Sequence, residues 1–340
     1  MKDLTSPYPY FGGKRRVAGA IWQRFGDVPN FVEPCCGSGA VLLARPGYDA
    51  GRHTETVNDI NGLLCNFWRA LQADPEQVAY YADQPINETD LHARHAWLVA
   101  RQPAITADLS NPEAYDAKAA GWWVWGIGCW IGSGWCPSDN RPSLSQQLPM
   151  IGANNDGGHS AQKGVHGKSL SRQLPMIGGT YEDGTTKGTG VHSITLARTN
   201  GLHEYLHRLA VRTRRVRVTC GDWRRILTPS VTTHHGTTAV MLDPPYALDG
   251  RAGVYSDEDA SIWQQCRAWC LEHGDNPKLR IAFCGYGDAD TMPASWEYMP
   301  WQAPGGYAGQ SKPGGQGSKN KLREAVWFSP GCSSRQESML

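Results

Sequence analysis

Six short apolar runs divide the chain, each closed by glycine, proline, asparagine or aspartate: NFVEPCCGSG (30–39), TETVNDIN (54–61), RVRVTCGDW (215–223), TAVMLDPPY (238–246), LRIAFCGYG (279–287) and EAVWFSP (324–330). Their β-branched and aromatic content reads as buried strands. Between them, apolar positions recur at helical spacing over 14–25, 38–45, 60–72, 194–211 and 257–273. Strand and helix alternate, so the expected architecture is α/β around a mostly parallel sheet.

The alternation breaks between about 85 and 193. A tryptophan-rich segment, GWWVWGIGCWIGSGWC (121–136), is followed by a Gly-, Ser- and Asn-rich stretch with no lasting period. Within it SLSQQLPMIG at 143 returns as SLSRQLPMIG at 169, an offset of 26 residues. Two copies are too few for a solenoid, which needs about three, and a pair of similar loops or hairpins is expected. The organisation read from these breaks is an α/β domain in two parts, 1–84 and 194–330, an inserted region at 85–193 and a tail at 331–340.

Composition narrows the class. The chain has 340 residues, 40% of them hydrophobic, enough for a substantial core. A formal net charge of +1 gives no global polyanion signal, so a nucleic-acid surface has to come from local asymmetry such as RTRRVRV (212–218) or SKPGGQGSKNKLR (311–323). Ten cysteines without a CxxC pair suggest reduced thiols, with no zinc ribbon and no metal site expected. No stretch approaches the roughly 20 apolar residues that span a bilayer, and the amino terminus lacks a signal-peptide core. A soluble cytoplasmic protein with no membrane partner is expected.

FVEPCCGSGAVLL (31–43) leads from a strand through a Gly-x-Gly turn into a helix. Gly37 and Gly39 let the backbone approach a ligand closely, and the helix start supplies N–H groups. Asp59 follows about twenty residues on, where a carboxylate can accept ribose hydroxyl hydrogen bonds. A dinucleotide fingerprint needs a third glycine, which CGSGAVLL lacks, so a smaller adenosyl ligand is favoured. Glu33, next to Pro34, would repel phosphate and suits a ligand bearing an amino group or sulfonium.

PYFGGK (9–14), FVEPCCGSG (31–39), NDIN (58–61), GDW (221–223) and DPPY (243–246) stand in an order that resembles the DNA adenine methylase (Dam-like) family, S-adenosylmethionine-dependent N6-adenine DNA methyltransferases of the alpha group. The resemblance covers 7–84 and about 200–330. It departs at EPCC, where relatives often carry a bulky residue at one cysteine position. It implies a Rossmann-like, seven-stranded methyltransferase sheet with helices on both faces and an inserted target-recognition region. It also implies S-adenosyl-L-methionine as cofactor, double-stranded DNA as substrate, base flipping, and the cytoplasm of a prokaryotic or phage-infected cell. A cognate restriction nuclease is a further candidate partner. On the matching motifs, Tyr10 and Lys14 are implied as cofactor contacts, with the lysine suited to the methionine carboxylate. Glu33, Pro34, Gly37, Ser38 and Gly39 would surround the methionine moiety, Asp59 and Ile60 the ribose end, and Asp222 and Trp223 the adenine ring.

The catalytic expectation rests on Asp243, Pro244, Pro245 and Tyr246. An exocyclic adenine amine is a poor nucleophile because its lone pair is delocalised into the ring. Asp243 can accept one N6 hydrogen, and joins the cofactor set by position, while the Pro244 carbonyl accepts the other. Tyr246 can stack on the extruded base. Cytosine-N4 methylation on the same fold is the nearest alternative, and a protein that recognises DNA without turnover is another. Cytosine C5 chemistry needs a nucleophilic cysteine, and PCC (34–36) lies in the cofactor turn, where its thiols read as structural. HEYLH (203–207) fits a zinc metalloprotease pattern of His203, Glu204 and His207, but no His or Glu appears between 208 and 233 and the stretch runs into a strand as a crossover helix would. The tryptophan cluster reads as core rather than base-stacking surface. DNA contacts are expected from Gln146, Gln147, Lys168, Arg172 and Gln173 in the insert and from Lys312, Lys319, Lys321 and Arg323 in the basic segment.

Overall fold

The computed structural model describes residues 4–10, 13–130, 135–136, 201–245, 257–286, 292–301 and 324–332. The chain divides into two compact units, one of Met1–Ser6, Tyr10–Ile60 and Thr213–Leu340, the other of Pro7–Pro9 and Asn61–Arg212.

The first unit is built on a seven-stranded sheet: β1 Asn30–Glu33, β2 Thr54–Asp59, β3 Arg217–Cys220, β4 Thr238–Leu242, β5 Leu279–Tyr286, β6 Glu297–Pro300 and β7 Glu324–Phe328. Their spatial order is β3-β2-β1-β4-β5-β7-β6. The strands from β3 to β5 pair in parallel, and β7 runs antiparallel to both β5 and β6. This is the mostly parallel α/β architecture that the alternation predicted, with the seven-stranded, Rossmann-like sheet that the resemblance implied. β6 was not anticipated: EYMP is four residues long, alternates half-buried and exposed positions, and ends in proline at the sheet edge.

β1 shows why the central strands are apolar throughout. Successive side chains point to opposite faces of a sheet. Val32 joins the core formed with Val240, Ile281, Phe283 and Cys266 and Cys270 of helix Asp257–His273. Its neighbour Phe31 lies 5.0 Å from Trp22 and 6.2 Å from Phe25, both on helix α1 (Ala18–Phe25). Both faces are covered, so every residue of β1 and β4 is buried. One helical turn, α2 (Ala40–Leu43), follows the glycine turn after β1.

The second unit is helical in its described part: α3 Gly62–Ala73, α4 Pro75–Ala82, α5 Glu88–Asp108, α6 Ala117–Cys129 and α7 Gly201–Thr213; helix Asp257–His273 of the sheet unit is then α8. Side chains of Asn61, Asp74, Asn87 and Asp116 accept backbone N–H bonds at the starts of α3 to α6, a sequence-local reason for each boundary. α6 is apolar nearly all round, so its sequence carries no amphipathic period. Trp123 and Trp125 are fully buried, and Tyr8 meets Trp123 edge-on at 4.8 Å. Gly121 admits this packing, since a Cβ there would stand 2.4 Å from that of Tyr81. These tryptophans form core, as expected; Trp122 stays half-buried. No described helix is long and apolar enough to cross a membrane.

Candidate active site

β1 has β2 on one side and β4 on the other. At such a switch in strand order the connections diverge, and the carboxyl ends of the strands border a crevice where ligands bind in open α/β sheets. Glu33 ends β1, Asp59 ends β2, Cys220 ends β3, and Asp243 follows the last residue of β4. The motifs picked from the sequence thus meet at one edge.

The turn after β1 depends on glycine. Gly37 has φ 47° and Gly39 φ 65°, the left-handed region that side chains disfavour. A Cβ on Gly37 would come within 2.7 Å of Cδ1 and Cε1 of Tyr10, whose ring lies against the turn. Gly37 donates its N–H to Asp59 Oδ2 at 3.0 Å. Ile60, just beyond, is 66% exposed. Pro34 and Ser38 are buried. Asn58, which the sequence reading passed over, ties three strand ends together. Its amide donates to Pro34 O at 3.0 Å and Gly221 O at 2.8 Å, and its Oδ1 accepts from Thr219 Oγ1 at 2.9 Å. The signal for it was a polar residue inside a buried strand end.

Asp243 is partly exposed and its Oδ2 lies 2.7 Å from Nζ of the buried Lys14. Lys14 also stands over the Trp301 ring, 5.3 Å from its centroid. Burial opposes the ammonium, but the charge of Asp243, with smaller contributions from Cys284 and Glu324, overrides it and holds the Lys14 pKa above the ordinary lysine value. Pro244 is buried and Pro245 half-buried. Trp301, Cys284 and Glu324 carry no local motif and were not singled out from sequence.

Glu33 is 3% exposed, and its Oε2 is buried without a hydrogen-bond partner. Burial first, then the charge of Asp243, push its carboxyl well above the usual range; Glu55 and Asp59 add to this and a backbone bond from Leu42 opposes it. Burial likewise pushes up the thiols of Cys35 and Cys36, which disfavours thiolate at both.

Asp222 is exposed at the start of a 3-10 turn and is held by Arg224, whose Nε lies 2.9 Å from Oδ1 and whose Nη2 lies 2.5 Å from Oδ2. The hydrogen bond from Arg224 outweighs desolvation and lowers the Asp222 pKa. Trp223 is 7% exposed and belongs to the core around α8. In the helical unit, α7 buries Leu202, Tyr205, Leu206 and Leu209, while Glu204 and His207 are exposed and His203 Nδ1 lies 3.7 Å from Glu76 Oε2. Among the described residues no group of three or more His, Cys, Asp or Glu is gathered as a metal site. Tyr246 and all nine expected DNA contacts, Gln146, Gln147, Lys168, Arg172, Gln173, Lys312, Lys319, Lys321 and Arg323, lie outside the described residues, as does the repeat.

No curated protein matches the chain. Residues 10–103 match the family model described as D12 class N6 adenine-specific DNA methyltransferase. That span takes in the glycine turn, Asp59 and the first helices of the second unit. DPPY, after β4, lies outside the matched span. Over residues 10–103 the chain is similar to that family, whose members methylate adenine in DNA, and the match supports adenine-specific DNA methylation as its activity.

Proposed function

We propose that the crevice at the ends of β1 to β4 binds S-adenosyl-L-methionine and that Asp243 and Pro244 receive the amino group of a flipped adenine beside it. The observation that carries the cofactor assignment is Glu33, a buried carboxyl whose Oε2 has no partner. A ligand ammonium there satisfies an orphaned acceptor whose isolation costs about 1–3 kcal/mol. Tyr10, Pro34, Gly37, Ser38 and Gly39 shape the surrounding wall. Asp59 and the exposed Ile60 serve the ribose end, and Asp222 with Trp223 borders the adenine. Lys14, a buried cation, suits a ligand carboxylate as well as Asp243. When bound, the cofactor supplies a methyl group made electrophilic by its sulfonium.

The protein's own residues prepare the amine. Asp243 accepts one N6 hydrogen and the Pro244 carbonyl the other, which localises the lone pair and stabilises the positive charge that develops on nitrogen. The adjoining prolines fix the carbonyl's direction, and Tyr246 stacks on the base. Lys14 must yield part of its contact with Asp243 when the amine arrives. Target choice belongs to the insert at 85–193, chiefly 137–193, and phosphate contacts to the basic segment. The setting this reading implies is the cytoplasm of a prokaryotic or phage-infected cell, with a cognate restriction nuclease as a candidate partner.

Calorimetry with S-adenosylmethionine tests the assignment. Glu33→Gln and Asp59→Ala should weaken affinity while Asp243→Asn retains it. The reverse pattern would displace the cofactor from this crevice.

A further inference from the structure

Between α5 and α6 of the helical unit, cations and indoles alternate in single file. Arg94, Trp97 and Arg101 are three and four residues apart and share one stripe of α5; Lys118, Trp122 and Trp125 do the same on α6. The stripes interleave. The Arg101 guanidinium lies 5.2 Å from the Trp97 ring centroid, and Lys118 Nζ lies 5.1 Å from Trp97 and 4.4 Å from Trp122. Arg94 lies 5.2 Å from Trp122 and 4.4 Å from Trp125. The file runs from core to solvent: Trp125 is fully buried, the Arg94 side chain is 12% exposed, and that of Arg101 is 48% exposed.

Helix packing alone is served better by aliphatic side chains, because cations in such an interface bring polar atoms that need partners. Arg94 illustrates the penalty: its Nη1 is buried with no partner, although Nη2 reaches Asp90 and Gln84 at 3.3 Å. At the outer end Arg101 pairs with Asp116 at 3.5 Å in a cavity lined also by Asp108 and Glu113, while among the described residues Lys118 forms no ion pair. Two π faces hold the Lys118 ammonium without neutralising it. A free lysine loses up to about 2 kcal/mol of rotamer entropy when it is fixed, and here Trp97 and Trp122 restrain it before any ligand binds.

We propose that the outer end of this file, Lys118 and Arg101 flanking Trp97, grips the phosphate backbone of duplex DNA. Fixed cations at the solvent end fit a polyanion, and the half-buried indole between them offers apolar surface to the adjoining sugar. The contact carries no base readout, so it adds affinity for all sequences alike. The proposal rests on DNA being the enzyme's substrate and is independent of the roles given to Asp243 and the cofactor crevice.

The test is fluorescence anisotropy of the full-length protein with labelled cognate and random duplexes across a salt series. In Lys118→Gln/Arg101→Gln, affinity for both duplexes should fall together, and the slope of log K against log salt should flatten by about 0.9 per lost phosphate contact. Asp116→Asn keeps a capping side chain at the start of α6 and releases Arg101, so it should tighten binding and steepen the slope. This variant keeps the test alive if the double substitution fails to fold. A folded double variant with unchanged affinity and slope, even with a lowered melting temperature, makes the file purely structural and overturns the proposal, as does an unaltered slope in Asp116→Asn. Nucleoside analysis of the methylated DNA reports separately on the chemistry at Asp243.

Discussion

Asp243→Ala separates the structural and chemical roles of one carboxylate. Lys14 is 4% exposed and Asp243 21% exposed, with 2.7 Å between the charged atoms. Deleting the acid strands an ammonium that the fold has removed from water. Breaking a buried pair by removing one partner destabilises by about 3–5 kcal/mol. Asp243 keeps some contact with solvent, and the Trp301 ring and the charge of Glu324 remain near Lys14, so we expect the lower end, about 3 kcal/mol. In a domain of this size that is roughly 6–12 °C in melting temperature. The chemical loss is separate: one preorganised partner of the reacting group is worth on the order of 10² to 10³ in rate. Lys14→Met/Asp243→Ala removes both charges and should recover most of the stability while leaving methyl transfer abolished. Thermal melts read the first effect, and single-turnover transfer of a labelled methyl group to cognate DNA reads the second. If Asp243→Ala melts with the wild type and the double variant shows no coupling, the ion pair is not made in solution. If Asp243→Ala retains more than half of the single-turnover rate, the catalytic assignment fails.

Gly37→Ala should weaken cofactor binding tenfold or more, because a left-handed alanine costs about 1–2 kcal/mol and its Cβ meets the Tyr10 ring at 2.7 Å; unchanged calorimetric affinity would refute this. Glu33 is held above the ordinary glutamate pKa of 4.5 by burial and then by Asp243. A raised carboxyl pKa contributes stability at low pH that is lost as pH climbs through the folded value, so the ligand-free protein should lose stability as pH rises above 4.5. Glu33→Gln should flatten that fall, and parallel pH–stability curves for the two proteins would contradict the assignment. Neutralising Lys312, Lys319, Lys321 and Arg323 should flatten the salt dependence of DNA binding by roughly one unit per lost contact without altering site preference, whereas an unchanged slope returns the segment to solvent. Replacing 143–192 by a short Gly-Ser linker should preserve cofactor binding and remove discrimination between cognate and random duplexes; a shortened protein with the original preference would relocate recognition.

The chemistry-bearing elements were legible because their signals are local. A run of buried apolar residues stopped by Glu-Pro, Asp-Ile or Asp-Pro-Pro announces both the strand and its functional end. The glycines at 37 and 39 announce a backbone that side chains disfavour, and the structure has them at φ 47° and 65°. The expected order of these motifs was enough to suggest the fold and the family. The helices between residues 75 and 129 were less legible. α6 is apolar nearly all round, with Lys118 its one charged residue, and has too little polar face to set a period, and α5 carries Pro103 inside it and buries only His95, Leu98 and Ile105. β6 at the sheet edge is too short and too exposed to read as a strand.

Pairings between distant segments belong to the tertiary structure alone. Lys14 and Asp243 are separated by most of the chain, and their ion pair exists because the segment before α1 and the exit of β4 meet at one sheet edge. Asn58 could be seen as a polar residue in a strand, but not as the group that binds the ends of β1 and β3 to β2. Tryptophans that looked alike in sequence separate by packing: Trp123 and Trp125 fill the core, while Trp97 and Trp122 hold cations toward solvent. Periodicity records what a residue does within its own turn or strand. Which charge it must neutralise, and which ring will cover it, is decided only when elements far apart in the chain are brought within a few ångströms and water is excluded between them.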